Sequence, residues 1–427
     1  MYRTGSVLIP TSIFLGQQDN NNKMMKLVLP LLSVFTLYAA FYFSFINGSH
    51  DLALQSVASK TLPGRNDPLR TVYTGVEPID RLLTVLTVFF WPMTDGSTPT
   101  LTVHSLGFAG TFGSAWVLVT LESWRRGNAW TIAALYVESP SPEHTDLSIL
   151  TCTSPFVFGI LAQTLTFAFA TPLYAGLQLA FSVTAARPNA DNIRVPRAVL
   201  NVIPYVFIIA FLIPSTLLVV PLSETMTAEL KQICIAVWQP WPVYISVLTV
   251  IANILFSPLV SNDKTVDGGR ATLSSLRKVY AFAFANAAFT HLIPWVISLA
   301  TVIEPRFFNR QFAELLHPCK VFQLPLPWAQ PTLQVSELGL GVHAFLRWDY
   351  VIGSTGVLLW ALTLYRNAHR AILSKPGCLG LLVKVALLSV LAGPVGAAVE
   401  LMWERDELVV HETGGLKPTV STNKKSS

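Results

Sequence analysis

The chain has 427 residues, 52% of them hydrophobic and only 12% charged, against about a quarter charged in soluble globular domains. That balance, with a mean hydropathy of +0.51, excludes an ordinary soluble domain and requires an integral membrane protein. The net charge of +5 reads as positive-inside bias rather than a nucleic-acid surface, because no Lys/Arg block is interleaved with aromatics.

Residues 1–24 form a polar N-terminal tail that ends in the run Gln17–Lys23. Leu27–Ile46 is as long as a bilayer is thick and longer than a signal-peptide core, so it reads as a retained first helix. Further candidate spans are 79–93, 101–121, 152–181, 198–222, 233–258, 279–303, 349–365 and 380–402. With 25–46 they make nine, or eight if one of the two short ones is interrupted. The expected fold is an all-α polytopic transmembrane helix bundle over 25–402, followed by a disordered polar tail over 403–427. Multi-pass insertion in the endoplasmic reticulum is the expected location.

Loop charges set an orientation. The basic loops near 182–197, 259–278 and 366–379 share one side with the N-terminus if nine spans exist, and that side should be cytoplasmic. Counting on, Asp95 and His104 fall at the cytoplasmic end, whereas Asp80, Glu122, Asp349 and the C-terminal tail fall at the lumenal end. Asn47-Gly48-Ser49 then marks a lumenal glycosylation acceptor at Asn47. Pro155, Pro172, Pro204, Pro214, Pro240, Pro242 and Pro294 interrupt the spans, which membrane helices tolerate where neighbours or a polar cavity satisfy the freed carbonyls. The loop over 304–348, rich in Pro and aromatics, is long enough to be a lid.

Four cysteines (Cys152, Cys234, Cys319, Cys378) lie far apart without C-x-x-C spacing, giving neither a disulfide framework nor a zinc site. No P-loop, no G-x-G-x-x-G opening a helix and no H-E-x-x-H occurs. The histidines are scattered and no aspartate-rich diphosphate pattern is present. No cofactor and no metal are expected. Among polar residues inside spans, the amides Gln163, Asn201, Asn253 and Asn286 suit interhelical hydrogen bonds. His291 could line a pocket, and Lys384 could snorkel toward the basic side.

The densest chemistry lies between Ile79 and Asn128, where two spans meet at a Pro/Gly turn. Ionisable groups at membrane depth are functional candidates, although interfacial anchoring is the commoner role for any one of them. Asp95 and Glu122 are the leading acids, with Asp80 and His104 beside them as further catalytic candidates. A carboxylic acid desolvated at the membrane boundary can stay protonated and deliver its proton to an alkene or epoxide. Phe90, Trp91, Trp116 and Trp124 offer ring faces to a developing carbocation. Arg126, Asn128 and Asp349 complete the candidate substrate contacts. His104 and Glu122 are about 27 Å apart along one helix, so they belong to different sites.

Three fragments of this stretch carry a resemblance: Asp80-Arg81-Leu82-Leu83, then Phe89-Phe90-Trp91-Pro92-x-x-Asp95-Gly96, then Leu121-Glu122-Ser123-x-Arg125-x-Gly127-Asn128. They resemble fungal integral membrane proteins of secondary metabolism, similar to the membrane-bound terpene cyclases of ascochlorin and ascofuranone biosynthesis. The resemblance implies a cofactor-independent isomerising cyclase that protonates a lipophilic prenylated, epoxidised or polyketide-derived substrate in a meroterpenoid pathway. Its partners would be that small molecule, membrane lipid and other pathway enzymes, not nucleic acid. The rival from another class is an exporter of such a metabolite, and a third reading is a non-catalytic receptor or scaffold. Unchanged mass with a changed compound would single out the enzyme.

Overall fold

The computed structural model describes residues 11–128, 153–260, 270–329, 333–373 and 379–413. Cys152, Cys378, Pro331, the first ten residues and the last fourteen, 414–427, lie outside the described residues. The longer helices are α1 (Thr11–Thr36), α2 (Ser49–Ser59), α3 (Glu77–Thr94), α4 (Pro99–Ser123), α5 (Thr153–Thr164) and α6 (Phe167–Phe181). They continue with α7 (Arg197–Phe207), α8 (Ala228–Trp238), α9 (Trp241–Phe256), α10 (Arg270–Ile303), α11 (Leu338–Leu373) and α12 (Leu379–Thr413). Two of them carry on beyond a π-helical turn, α1 to Ile46 and α7 to Val219. The all-α class expected from composition is what is found.

Among the described residues, five helices are long and apolar enough, by length and composition, to cross a membrane: Lys23–Ile46, Arg197–Val219, Trp241–Leu259, Ala271–Ile303 and Gly380–Thr413. α4 and α11 run through the centre of the bundle and are buried along most of their length. A central helix makes its contacts with protein rather than lipid, so it has no need of an all-apolar surface.

α4 packs closely on α10 because Gly110 has no side chain. A Cβ there would lie 1.9 Å from the Thr290 hydroxyl. Polar groups tie the same interface: Asn286 donates to the Gly110 carbonyl at 2.9 Å and to Ser114 at 2.8 Å, and Ser114 donates to the Ala283 carbonyl at 2.9 Å. Interhelical bonding by the span amides is thus realised at Asn286, and again where Ser275 donates to Asn201 at 2.7 Å.

Two expected single spans are hairpins. The stretch 152–181 breaks at Leu165 and Thr166, and α6 runs back along α5, bringing Phe158 and Tyr174 into ring contact at 5.3 Å. The last span folds back within α12 at Gly393, whose φ of 74° and ψ of 167° are not helical. Lys384 and Glu404 pair across this fold, although twenty residues of continuous helix would hold them about 30 Å apart. Lys384 therefore has a carboxylate partner rather than a snorkelling role alone.

The hairpins correct the orientation counted from nine single spans. Each returns the chain to the end from which it entered. Arg126 pairs with Asp191 at 3.0 Å, Arg277 with Glu407 at 2.7 Å, and Thr413 accepts from the Ala190 backbone at 2.7 Å. Glu122, Arg126, the loop 182–197 and the C-terminal helix thus share one end, the basic one, and His104 lies toward the other. The residues 403–413, expected in a polar tail, are helical, with Arg405 and Asp406 fully buried.

Asn47 is corrected as well. Its side chain is buried, its carboxamide oxygen accepts from the Ser49 backbone at 3.0 Å, and its carbonyl accepts from Val335 at 3.0 Å. A side chain enclosed in this way presents no acceptor for a glycan.

Candidate active site

The four carboxylates singled out in the sequence occupy four different environments. Asp95 follows the last residue of α3 in a turn, half-buried, and accepts from the Ser97 backbone at 2.9 Å and hydroxyl at 2.7 Å. That is the local bonding of an Asp that shapes a turn. Asp80, in the first turn of α3, gathers the backbone N–H groups of Tyr73, Thr74 and Gly75 and the Thr74 hydroxyl, all within 3.1 Å. Four donors on one carboxylate pin the preceding loop to the helix start.

Glu122 ends α4 inside a buried ionic cluster. One of its oxygens accepts from Arg125 Nε at 2.6 Å and from Arg405 Nη1 at 2.7 Å. The other faces Thr184 at 3.1 Å, Gln178 at 3.3 Å and Asn128 at 3.4 Å. Arg125 also donates to Asp406 at 2.7 Å, and the Tyr280 hydroxyl donates to the same Asp406 oxygen at 2.6 Å. Two guanidiniums and two carboxylates balance, which is the condition for burying charge at all. Asn128 belongs to this cluster through Ser182 and the Glu122 carbonyl. Arg126 does not: it is exposed.

Asp349 lies on α11 and is 3% exposed. It accepts from the Ala168 backbone N–H at 2.6 Å and also bonds Thr166 and Phe167. It caps α6 at the hairpin break, deep in the bundle. Among the described residues no salt bridge reaches it, which sets it apart from Glu122 and Asp406.

The ring beside that cap opens the main aromatic cluster. Phe167 contacts Phe108 at 6.0 Å and Phe112 at 4.9 Å. Phe112 meets Trp116 edge-on at 5.6 Å and Trp241 at 4.9 Å, and Trp241 meets Phe211 at 4.6 Å. Phe108, Phe112 and Trp116 recur every four residues along α4 and so share one face. Trp116 is thus in the cluster. Phe90 contacts Phe89 and Trp238 on a neighbouring face. Trp91 and Trp124 are buried, and neither makes a ring contact with the Trp116 cluster among the described residues.

His104 is 5% exposed, and its ring lies 5.4 Å from His343 and 5.8 Å from Tyr350. Among the described residues its Nδ1 has no partner, whereas His343 Nε2 is 3.0 Å from the Val321 carbonyl. Tyr350 follows Asp349 in sequence, and its hydroxyl lies 3.5 Å from His291 Nδ1. Among the described residues no three His, Cys, Asp or Glu side chains converge as a metal site requires.

Sequence reasoning placed Glu122 and His104 in different sites. It missed Arg405 and Asp406, although the run Glu404-Arg405-Asp406-Glu407 between apolar pairs was a visible helical signal. It also missed Phe108, Phe112 and Phe167 as the neighbours of Trp116, and His343 and Tyr350 as those of His104.

The CtvD domain family matches residues 25–139 and 146–410. Terpene cyclase ctvD of Aspergillus terreus is 30% identical over 380 residues, covering 88% of this chain and 97% of that protein. Terpene cyclase penA of Penicillium crustosum is 28% identical, covering 88% and 94%, and terpene cyclase ascI of Acremonium egyptiacum is 27% identical, covering 79% of each. No solved structure matches.

Proposed function

Since the chain belongs to the CtvD domain family, we propose that it is a fungal membrane terpene cyclase that closes a prenyl chain by proton transfer from Asp349. The relatives named as terpene cyclases support the reaction class, and the exporter reading finds no support among them. The observation that carries the residue assignment is a buried carboxyl without a cation, set at the end of an aromatic cluster.

A donor must hold a proton at low cost. Protonating Glu122 would leave two buried guanidiniums facing one carboxylate, whereas protonating Asp349 leaves no charge uncompensated. On this reading Glu122 is a structural anion, Asp95 a turn residue and Asp80 the anchor of the loop before α3. Asp349 gives its proton to an epoxide oxygen or an alkene carbon of a lipophilic, prenylated substrate. The C–O bond breaks, or the π-bond is consumed, as a chain double bond or hydroxyl attacks the cationic carbon. Phe167, Phe112 and Trp116 stabilise the positive charge through their ring faces, and a proton lost from the final cation restores the carboxyl. No atom is gained or lost, so the product is an isomer.

The enzyme works in the endoplasmic reticulum membrane, its basic end toward the cytoplasm, with residues 25–413 as one catalytic domain. Its substrate joins a prenyl chain to a polyketide-derived ring. Asp349→Asn keeps an oxygen for the Ala168 N–H but removes the acid. In microsomes fed a prenylated epoxide, this variant is expected to accumulate at wild-type levels and form no isomeric product. Wild-type turnover by Asp349→Asn would sink the assignment.

A further inference from the structure

Helices α3, α5, α8 and α9 enclose a cavity of about 550 Å³, a size usual for small-molecule sites. Most of its wall is apolar, and its rim carries Leu82 and Val237, which are 42% and 52% exposed.

Its wall holds one anomaly. Gln239 lies where α8 breaks into α9, in the run Trp238-Gln239-Pro240-Trp241-Pro242. The side chain is 4% exposed, and among the described residues neither its amide oxygen nor its amide nitrogen has a partner. Gln163, on α5 and in the same wall, has a buried amide nitrogen that is also without a partner among the described residues. Buried amides are ordinarily paired, and leaving both ends of one unpaired is costly. Nothing in the local fold demands a glutamine here, since an apolar side chain of the same length would spare that cost.

The surroundings supply the rest of a binding site. Two residues beyond Gln239, Trp241 stands edge-on to Trp116 at 5.9 Å, so the polar end of the cavity adjoins the aromatic cluster. Tyr73 also lines the cavity, held by Thr87 at 2.9 Å. Burial pushes its hydroxyl above the ordinary tyrosine range, which keeps it a neutral donor.

We propose that this cavity seats the oxygen-bearing head of an amphipathic prenyl compound, a carbonyl or hydroxyl taken by the amides of Gln239 and Gln163, while its chain reaches the aromatic cluster. An amide offers both a donor and an acceptor, so a head with a hydroxyl beside a carbonyl uses both ends of Gln239. This rests on the cyclase reading for the identity of the compound, not for the existence of the site.

The test uses the full chain in lipid nanodiscs with two probes, farnesol and the oxygen-free hydrocarbon farnesene, read by quenching of tryptophan fluorescence. For Gln239→Leu the farnesol Kd is expected to rise about ten-fold, the scale of one buried hydrogen bond. Farnesene binding should stay unchanged, and the melting temperature should hold or rise, because an unpaired amide has been removed. Gln163→Leu should weaken farnesol binding in the same direction. With a prenylated phenolic epoxide as substrate, Gln239→Leu should raise KM and leave kcat unchanged. Equal farnesol binding by wild type and both variants, or a lowered melting temperature in Gln239→Leu with binding intact, overturns the site. If no prenyl substrate is cyclised while farnesol binding still depends on Gln239, the cyclase reading fails and the site stands.

Discussion

Glu122→Gln removes one negative charge from a cluster in which Glu122 and Asp406 balance Arg125 and Arg405, all four side chains fully buried. Both short contacts to guanidinium, at 2.6 and 2.7 Å, converge on the same Glu122 oxygen. The amide retains an acceptor but leaves the cluster with a net positive charge. Breaking a buried pair from one side costs about 3–5 kcal/mol. A charge pair 4 Å apart at an effective dielectric of 20 is worth about 4 kcal/mol, which agrees. At about 2 °C per kcal/mol for a large domain, the midpoint of thermal unfolding should fall by about 6–10 °C. The assay is a melting curve of the detergent-solubilised protein, with Arg405→Met and the double variant completing a cycle. Arg405→Met in the Glu122→Gln background should recover part of the loss, because the neutral pair leaves no excess charge. A Glu122→Gln protein that melts like wild type yet has lost cyclase activity would refute this reasoning and make Glu122 the acid.

Gly393→Ala forces a Cβ onto a residue at φ 74°, within 3.0 Å of His291 Nδ1. It should cost about 1–3 kcal/mol through the backbone alone and lower the melting midpoint, while Gly380→Ala, whose Cβ meets nothing within 4 Å, should not. Asn47 is enclosed, so the mobility of the protein from a glycosylating host should be unaffected by glycosidase, and a shift removed by Asn47→Gln would contradict its burial. Glu407→Gln breaks an ion pair with Arg277 in which the side chains are 31% and 46% exposed. Screening by solvent limits its value, so the melting midpoint should move by far less than in Glu122→Gln.

Periodicity reported the helices well and their reversals badly. A proline or glycine inside an apolar run looks the same whether the chain kinks and continues or turns back. Pro294 lies inside α10, which continues through it, whereas at Gly393 the chain folds back on itself. What separates them is the partner: Pro294 packs against Gly107 of α4, while the Gly393 turn is closed by Lys384 with Glu404. The orientation of the acids failed for the same reason, since two reversals read as two crossings put Glu122, His104 and the C-terminal segment at the wrong ends. Glu122, His104 and Trp116 were legible as candidates, because ionisable groups at membrane depth are costly and the ring lies on the same span. Their companions were not, since Arg405 is 283 residues from Glu122 and no local pattern joins them.

Composition and hydropathy alone determined the all-α membrane class, because a bilayer tolerates only backbones that satisfy their own hydrogen bonds. Three short fragments of the α3–α4 hairpin were enough to point to the cyclase family. Which carboxyl is neutralised by guanidiniums and which stands beside aromatic rings was decided only when distant helices met. A side chain carries its chemical type in the sequence, but its charge partners and its dielectric surroundings come from neighbours that only tertiary packing supplies.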